Sequence, residues 1–340
     1  ATDYIPTTSA AVSVGPVANT PRLDYSGGAT CPKLLLEPQR TNLLTYSEQF
    51  DNAAYNKGAG VTVTSNQYTS PDGYVNADKL IGATGTDRNG AVINRIVSVS
   101  SSTTYTTSIY VYKATSTQCT LYLRDGSTGG IVSESVTLVD GWQRISKSIT
   151  TGASTTQVNW YLGNTDGDIG IYGAQFEAGS YETSYIPTIA AKTRGDDLLA
   201  DSALSLASII TSANFTWYLN VGDFIGSESN ADIHLNLQRG GAQEIQFRAR
   251  TTGYRIYLSN TAAGSLYPYG TSELTKYLIK YDGSDYKIFA DGELRATTAS
   301  VGDGQLQTLS NGSVYGTLPL KQMLIFPTAL TDAQCIELTA

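Results

Sequence analysis

The residues best suited to chemistry lie in alternating segments between positions 214 and 258. In 214–221 (NFTWYLNV), Phe215, Trp217, Leu219 and Val221 fall on one side of an extended chain, so Tyr218 and Asn220 fall on the other. The same alternation sets Ile233, Leu235 and Leu237 opposite His234, Asn236 and Gln238. It sets Ile245, Phe247 and Ala249 opposite Gln246, Arg248 and Arg250, and Tyr254, Ile256 and Leu258 opposite Arg255 and Tyr257. If these strands are neighbours, their outward residues make one long polar and aromatic face with three arginines. Rings stack on sugar faces, amides bond hydroxyls, and guanidinium groups pair with carboxylates. A glycan is the ligand this chemistry fits. A solvated sheet face or a subunit contact is the competing reading.

Two smaller candidates lie outside that face. Tyr267 and Tyr269 flank the rigid Pro268 in 266–270 (LYPYG), a loop that could offer a stacking platform or pack on a sandwich edge. Asp166-Gly167-Asp168 alternates carboxylates as calcium ligands do, although Ca²⁺ takes six to eight oxygens and an acidic hairpin turn would look the same. No P-loop, nucleophile elbow, zinc-ligand spacing or dinucleotide fingerprint is present. His234 is the one histidine, so a triad has no other base to use. His234 with Arg248 and Tyr257 is the one cluster that could be put forward for catalysis, and Glu134 and Glu177 read as structural.

The elements that must position these residues are strands. Charged residues make up 15% of the 340, against about 25% in an average soluble protein. Gly contributes 33 residues and Tyr 23. A helical bundle would carry far more Glu and Lys on its surface. The formal net charge of −8 excludes a general nucleic-acid binder, which needs a basic footprint. No apolar run approaches the ~18 residues of a membrane span, so no membrane insertion is expected. Three cysteines, Cys31, Cys119 and Cys335, cannot form a full disulfide framework; they read as reduced thiols, with a Cys31–Cys119 bridge left open.

A repeat divides the chain. Thr2-Asp3-Tyr4-Ile5-Pro6-Thr7 returns as Thr183-Ser184-Tyr185-Ile186-Pro187-Thr188, and an Ala pair follows each copy. Proline fixes its own φ and keeps the preceding residue extended, so each copy reads as an exit strand that ends a module. The first copy would then close a module upstream. The chain begins at Ala1 with no secretory leader pattern, and it is expected to lie inside a longer polypeptide. The division is a Pro- and Gly-punctuated connector over 1–40, one module over 41–188 and a second over 189–340.

Both modules read as antiparallel β-sandwiches. In the first, strands are expected at 90–99, 105–112, 119–124, 131–138, 142–149, 157–162 and 169–176, with a helical turn near 47–54. In the second, Asp282-Gly283 and Asp291-Gly292 are tight-turn signals between strands. Near the end, Thr331 can cap a short helix with Gln334 completing a capping box.

Several motifs of the first module resemble the carbohydrate-binding-module-like jelly rolls common in bacteriophage tail and fibre proteins. They are the run Asn42-Leu43-Leu44 through Phe50 to Tyr55, Pro71-Asp72-Gly73 leading to Ala77-Asp78-Lys79-Leu80, Gly141-Trp142-Gln143-Arg144, and Tyr172-Gly173-Ala174-Gln175-Phe176-Glu177. Tyr55 and Tyr172 stand where that pattern has Trp. Residues 201–340, with the final Leu330-Thr331-Asp332-Ala333-Gln334, resemble the laminin-G, concanavalin-like jelly roll. The resemblance implies an all-β chain of two tandem jelly-roll domains and a possible structural Ca²⁺, with no other cofactor. It implies a structural and adhesive virion protein, a fibre or related appendage made in the bacterial cytoplasm and carried on the particle. Its expected partners are host surface glycan, other virion proteins and two further copies in a homotrimer. Catalysis is not expected. The alternatives are a glycan depolymerase, a purely structural decoration, and a lectin-like module of a secreted bacterial protein.

Overall fold

Alternation of apolar and polar residues over segments of six to eleven residues produces strands, and every ladder formed by the described residues is antiparallel. The computed structural model describes residues 23–24, 33–82, 93–164, 167–195, 197, 214–222, 225–226, 233–239, 243–250, 253–258, 266–269, 275–299, 306–311 and 316–340. Among them, residues 40–194 form one unit, and residues 23–39 with those from 195 onward form another. No helix among them is long and apolar enough to cross a membrane.

The first unit is a sandwich of two five-stranded sheets. One sheet has the order Ile131–Thr137, Gln118–Asp125, Gln157–Asn164, Ile93–Ser98, Asn56–Lys57. The other has the order Trp142–Thr150, Thr104–Lys113, Asp168–Ala178, Val75–Ile81, Thr62–Thr69. Cys119, Leu121 and Leu123 from the first sheet meet Ile109, Val111, Ile169 and Ile171 from the second in one buried core. Trp160 is fully buried there, and its indole Nε1 donates to Thr107 Oγ1 of the facing sheet at 2.9 Å. A buried indole needs such an acceptor, and this one ties the two layers together. The 47–54 segment forms turns and no helix. Cys119 is a free, buried thiol, which removes the Cys31–Cys119 bridge.

The strand Asp168–Ala178 carries a bulge between Tyr172 and Gln175, with Gly173 at φ +65°. The bulge opens the ladder to the chain at 42–47. Leu43 N–H donates to Phe176 O at 2.8 Å and Ala174 N–H to Ser47 O at 2.9 Å. Strand Lys192–Arg194 pairs with Arg40–Asn42, so this unit extends to 194, beyond the expected end at 188.

The second unit is also a two-sheet sandwich. Its larger sheet runs Leu23–Asp24, Lys33–Leu36, Gly316–Phe326, Phe215–Val221, Lys276–Tyr281, Asp285–Ala290, Glu293–Ala299, with Ile225–Gly226 also on Gly316–Phe326. The facing sheet runs Leu266–Tyr269, Gly253–Leu258, Gln243–Arg250, Ile233–Arg239, Leu306–Asn311. Phe215, Trp217 and Leu219 from one sheet and Leu235, Phe247 and Ile256 from the other share the core. Both Asp-Gly turns form as expected, with Gly283 at φ +100° and Asp291 and Gly292 both at positive φ. The helix Asp332–Thr339 is capped by Thr331, with Gln334 completing the box. The stretch 1–40 is more than a connector, because Leu23–Asp24 and Lys33–Leu36 pair into this unit's sheet. Ladder pairing satisfies backbone groups that a linker leaves to water.

Candidate functional site

The outer face of the first unit's second sheet is where side-chain chemistry concentrates. Alternation turns Ile109 and Val111 into the core and Tyr110 and Tyr112 outward. Trp142 stands opposite Tyr112, and Arg144 opposite Tyr110. On the other flank Gly170 stands opposite Tyr112, and Tyr172 opposite Tyr110. A Cβ at Gly170 would come within 2.9 Å of the Tyr68 ring and 3.0 Å of Tyr112 Cβ. The missing side chain therefore makes the space into which Tyr68 settles.

The result is a continuous layer of rings. Tyr68 and Tyr112 centroids lie 5.3 Å apart, Tyr112 and Trp142 5.5 Å, Trp142 and Tyr172 6.5 Å, and Tyr172 and Tyr185 5.5 Å. Arg144 lies over the Tyr110 ring at 5.3 Å. Polar anchors hold the rings in place. Trp142 Nε1 donates to Thr69 O at 2.9 Å, and Tyr172 OH donates to Asp72 Oδ2 at 2.8 Å. The hairpin between Thr62–Thr69 and Val75–Ile81 is thereby bent over the sheet. Tyr68, Tyr112 and Trp142 stay half-buried, while Tyr74 and Val75 at the rim are 64% and 63% exposed.

Two carboxylates flank the layer. Glu48 Oε1 lies 3.0 Å from Tyr185 OH and 3.2 Å from Tyr172 OH. Burial pushes the Glu48 carboxyl above its ordinary range, and the two phenols offset that only in part. Burial alone would also raise Asp72, but hydrogen bonds from Ser70, the Tyr74 N–H, Asn76 and Tyr172 outweigh it and hold Asp72 below its ordinary range. Glu48 also borders a cleft of about 400 Å³ lined with Asp51, Asn66, Asn76 and Asp78. Asp78 is pushed up to about 6 by burial, against the backbone N–H groups of Asn66 and Phe50 that it accepts.

The polar face expected on the second unit forms in part. His234, Arg248 and Arg255 occupy one cross-strand row, with Asn236, Gln246 and Tyr257 in the next. The Arg248 guanidinium lies 4.6 Å from the Tyr257 ring centroid and donates twice to Gln246 Oε1, from Nε at 2.9 Å and Nη2 at 2.5 Å. Arg250 stands at the end of its ladder, opposite Gly253. The side chains of His234, Arg250 and Arg255 lie outside the described residues.

Four expected residues, Tyr218, Tyr267, Tyr269 and Asp168, have other surroundings than expected. Tyr218 belongs to the other sheet, 4% exposed against Leu278, Phe289 and Cys335, because the C-terminal helix covers that face. Leu266–Tyr269 is an edge strand, a position that tolerates Pro268, and not a loop. Its register sets Tyr267 and Tyr269 opposite Ile256 and Tyr254, both core residues, so the tyrosines do not share a row with Arg255 and Tyr257. Asp168 gives its carboxylate to Lys79 at 2.5 Å and to the Thr115 hydroxyl, which leaves it a lysine partner; Asp166 lies outside the described residues. Among the described residues no group of three His, Cys, Asp or Glu side chains could hold a metal. Tyr55 packs in the core against Phe50 and Trp160.

Sequence reasoning passed over the ring layer. Its signal was present in Tyr110-x-Tyr112, Trp142-x-Arg144 and Gly170-x-Tyr172, each an outward pair on its own strand.

No family model matches the chain, and no curated protein matches it. Several solved structures are similar in fold. The enzymatically active domain of tailspike protein 4 from bacteriophage CBA120 is 15% identical over 40% of this chain and 21% of that one, with a TM-score of 0.31. A family 16 carbohydrate binding module is 14% identical over 40% of this chain and 99% of its own, at a TM-score of 0.32. The CBM40 of the Ruminococcus gnavus IT-sialidase, bound to alpha2,6 sialyllactose, is 17% identical over 39% and 87%, at 0.29. The chain spans about a fifth of the tailspike's length. Likeness at this level leaves function to be argued from the chain's own residues.

Proposed function

We propose that the chain is a structural and adhesive protein of a bacteriophage virion, part of a fibre or related appendage, and that its first unit binds host cell-surface polysaccharide. The observation that carries this reading is the half-exposed ring layer of Tyr68, Tyr112 and Trp142 on one sheet face. Sugar C–H faces stack on such rings, and the neighbouring Asp72 and Glu48 accept from sugar hydroxyls. Sites of this kind are weak singly. Repeated on a homotrimeric particle appendage they gain avidity without new contacts. In this reading the chain is made in the bacterial cytoplasm and assembles with other virion proteins.

The Arg248–Tyr257 pair supports a second glycan contact on the second unit, suited to acidic sugars because the cation is already ordered over a ring. The two contacts separate by mutation. On a glycan array, Trp142→Ala and Tyr112→Ala are expected to weaken neutral and acidic glycans alike, at least tenfold, while Arg248→Ala weakens acidic glycans alone. Unchanged binding in Trp142→Ala with an unchanged melting profile would refute the ring-layer site. Glycan chains shortened during the incubation would replace adhesion with depolymerisation.

A further inference from the structure

The exit segment, whose motif repeats at the start of the chain, begins at a buried group of reactive side chains. Gln175 and Glu177 are fully buried and Thr183 is 1% exposed. The Thr183 hydroxyl donates to Glu177 Oε2 at 2.7 Å. The Gln175 amide Nε2 donates to the other oxygen, Glu177 Oε1, at 2.6 Å. The hydroxyl itself lies 3.5 Å from that Nε2, one bond from the amide carbon. Ile186 N–H donates to Gln175 Oε1 at 2.7 Å, which polarises the carbonyl. A nucleophile, a base shared between nucleophile and leaving group, and an oxyanion donor therefore converge in a site closed to water.

We propose that Thr183 and Gln175 join through an intramolecular ester, with Glu177 carrying the proton and ammonia as the leaving group. Thr183 Oγ1 attacks the Gln175 side-chain carbonyl carbon as its proton passes to Glu177 Oε2. Negative charge collects on Gln175 Oε1 and is met by the Ile186 N–H. The C–N bond then breaks while Glu177 returns the proton to Nε2, so one ester forms, one ammonia leaves, and Glu177 ends as it began. No oxidant or other reagent enters. Ammonia is protonated and diluted once it reaches water, which draws the exchange forward.

The surroundings hold the reactants in register. Thr107 Oγ1 donates to the Gln175 backbone O at 2.8 Å, Arg144 Nη2 donates to Thr183 O at 2.6 Å, and Thr183 N–H donates to Glu177 Oε1 at 2.9 Å. Arg40 Nε stands 3.6 Å from Glu177 Oε2 and keeps the base ion-paired. Such positioning is what turns an unreactive hydroxyl and amide into neighbours in a single step. The bond would lock the start of the exit segment to the strand Asp168–Ala178, ahead of the last strand of the unit at Lys192–Arg194. Thr2 is the matching residue in the first copy of the motif.

The test is the mass of the purified full chain after incubation at neutral pH. The ester makes it lighter by one ammonia, about 17 Da. Digestion of the denatured chain with cleavage after Glu182 should leave the fragments carrying Gln175 and Thr183 joined until hydroxylamine releases them. Thr183→Val and Glu177→Gln should show the full sequence mass and separable fragments. A wild-type chain at full mass overturns the proposal, whatever the variants do. So does a loss that maps to Asn89-Gly90 or Asn311-Gly312, where succinimide formation removes the same mass.

Discussion

Asn42 tests how the first unit holds its ring layer. The side chain is fully buried and makes four hydrogen bonds, all to backbone. Its Nδ2 donates to Ala174 O at 3.1 Å and Ile186 O at 2.9 Å, and its Oδ1 accepts from Leu44 N–H and Phe176 N–H, both at 3.0 Å. One amide thus ties together the 42–44 segment, the exit segment and both sides of the bulge that presents Tyr172. Asn42→Ala orphans four buried backbone groups at about 1–3 kcal/mol each. Relaxation and water entering the small cavity recover part of that, and the expected loss is about 4 kcal/mol. Since about 1.4 kcal/mol is a factor of ten, the opening equilibrium should shift about a thousandfold. The assay is hydrogen exchange read by mass spectrometry on the slowest amides of Thr104–Lys113, which report opening of this unit and not of the other. Asn42→Asp keeps the shape but turns carboxylate oxygen toward two carbonyls, so it should destabilise at least as much as alanine. Acceleration below tenfold in Asn42→Ala, or an aspartate variant as stable as wild type, would refute the reasoning.

Other outcomes follow from single groups. Gly170→Ala should displace the Tyr68 ring, cost about 1–2 kcal/mol by overpacking, and weaken glycan binding more than a distant substitution of equal cost, as near-ultraviolet dichroism and binding titration would show. The Asp78 carboxyl is raised to about 6 in the folded chain from 3.8, so the folded state binds more protons than the unfolded state between those values. Its contribution therefore falls as pH rises through that window, by no more than about 3 kcal/mol, and that slope should be lost in Asp78→Asn and appear as the difference between wild type and the variant in urea titrations at pH 4 to 7. Burial pushes the Cys119 thiol up to about 12 and Cys335 up to about 11. Both should resist alkylation at pH 8 in the native chain and react once urea unfolds it, as peptide mapping would record.

The strands, the Asp-Gly turns and the capped helix were legible because each rests on a pattern local to its own segment. Phe215-x-Trp217-x-Leu219 needs no partner to be read as one face of a strand, and Thr331 with Gln334 needs only three residues. The site was not legible, because it depends on which strands become neighbours. Trp142 sits on one edge of its sheet and Tyr68 on the strand at the other edge. They reach one layer only because the 65–75 hairpin bends across and Gly170 leaves room. Tyr218 failed for a related reason. Alternation gives the side of the strand but not what lies over that side, and a helix more than a hundred residues later covers it. Pro268 gave a misleading loop signal because an edge strand can absorb it without losing a ladder bond.

The outer face of that one sheet supplies its own control for the site. Going along Thr104–Lys113 and its partner Trp142–Thr150, the outward pairs are Thr104 with Thr150, Thr106 with Ser148, Ser108 with Ser146, then Tyr110 with Arg144 and Tyr112 with Trp142. The hydroxyl half seats the crossing at 179–180 that leads into the exit segment: Thr106 Oγ1 donates to Gly179 O at 2.8 Å and Ser148 Oγ to Ser180 O at 3.2 Å. Small polar side chains therefore suffice, on the same two strands, to hold a crossing segment in place. At the other end Tyr110 and Tyr172 meet the Tyr185 ring of the exit segment, but Tyr68, Tyr112 and Trp142 are not among the rings that meet it. Nor are they buried as a core would bury them, for Phe50, Tyr55 and Trp160 are at most 2% exposed while Tyr68, Tyr112 and Trp142 remain half-buried. Keeping three large rings at a wet surface sacrifices burial that each could have had. A flat apolar partner arriving from solution, as the face of a sugar would in the proposed function, would restore that burial, and the hairpin alone does not.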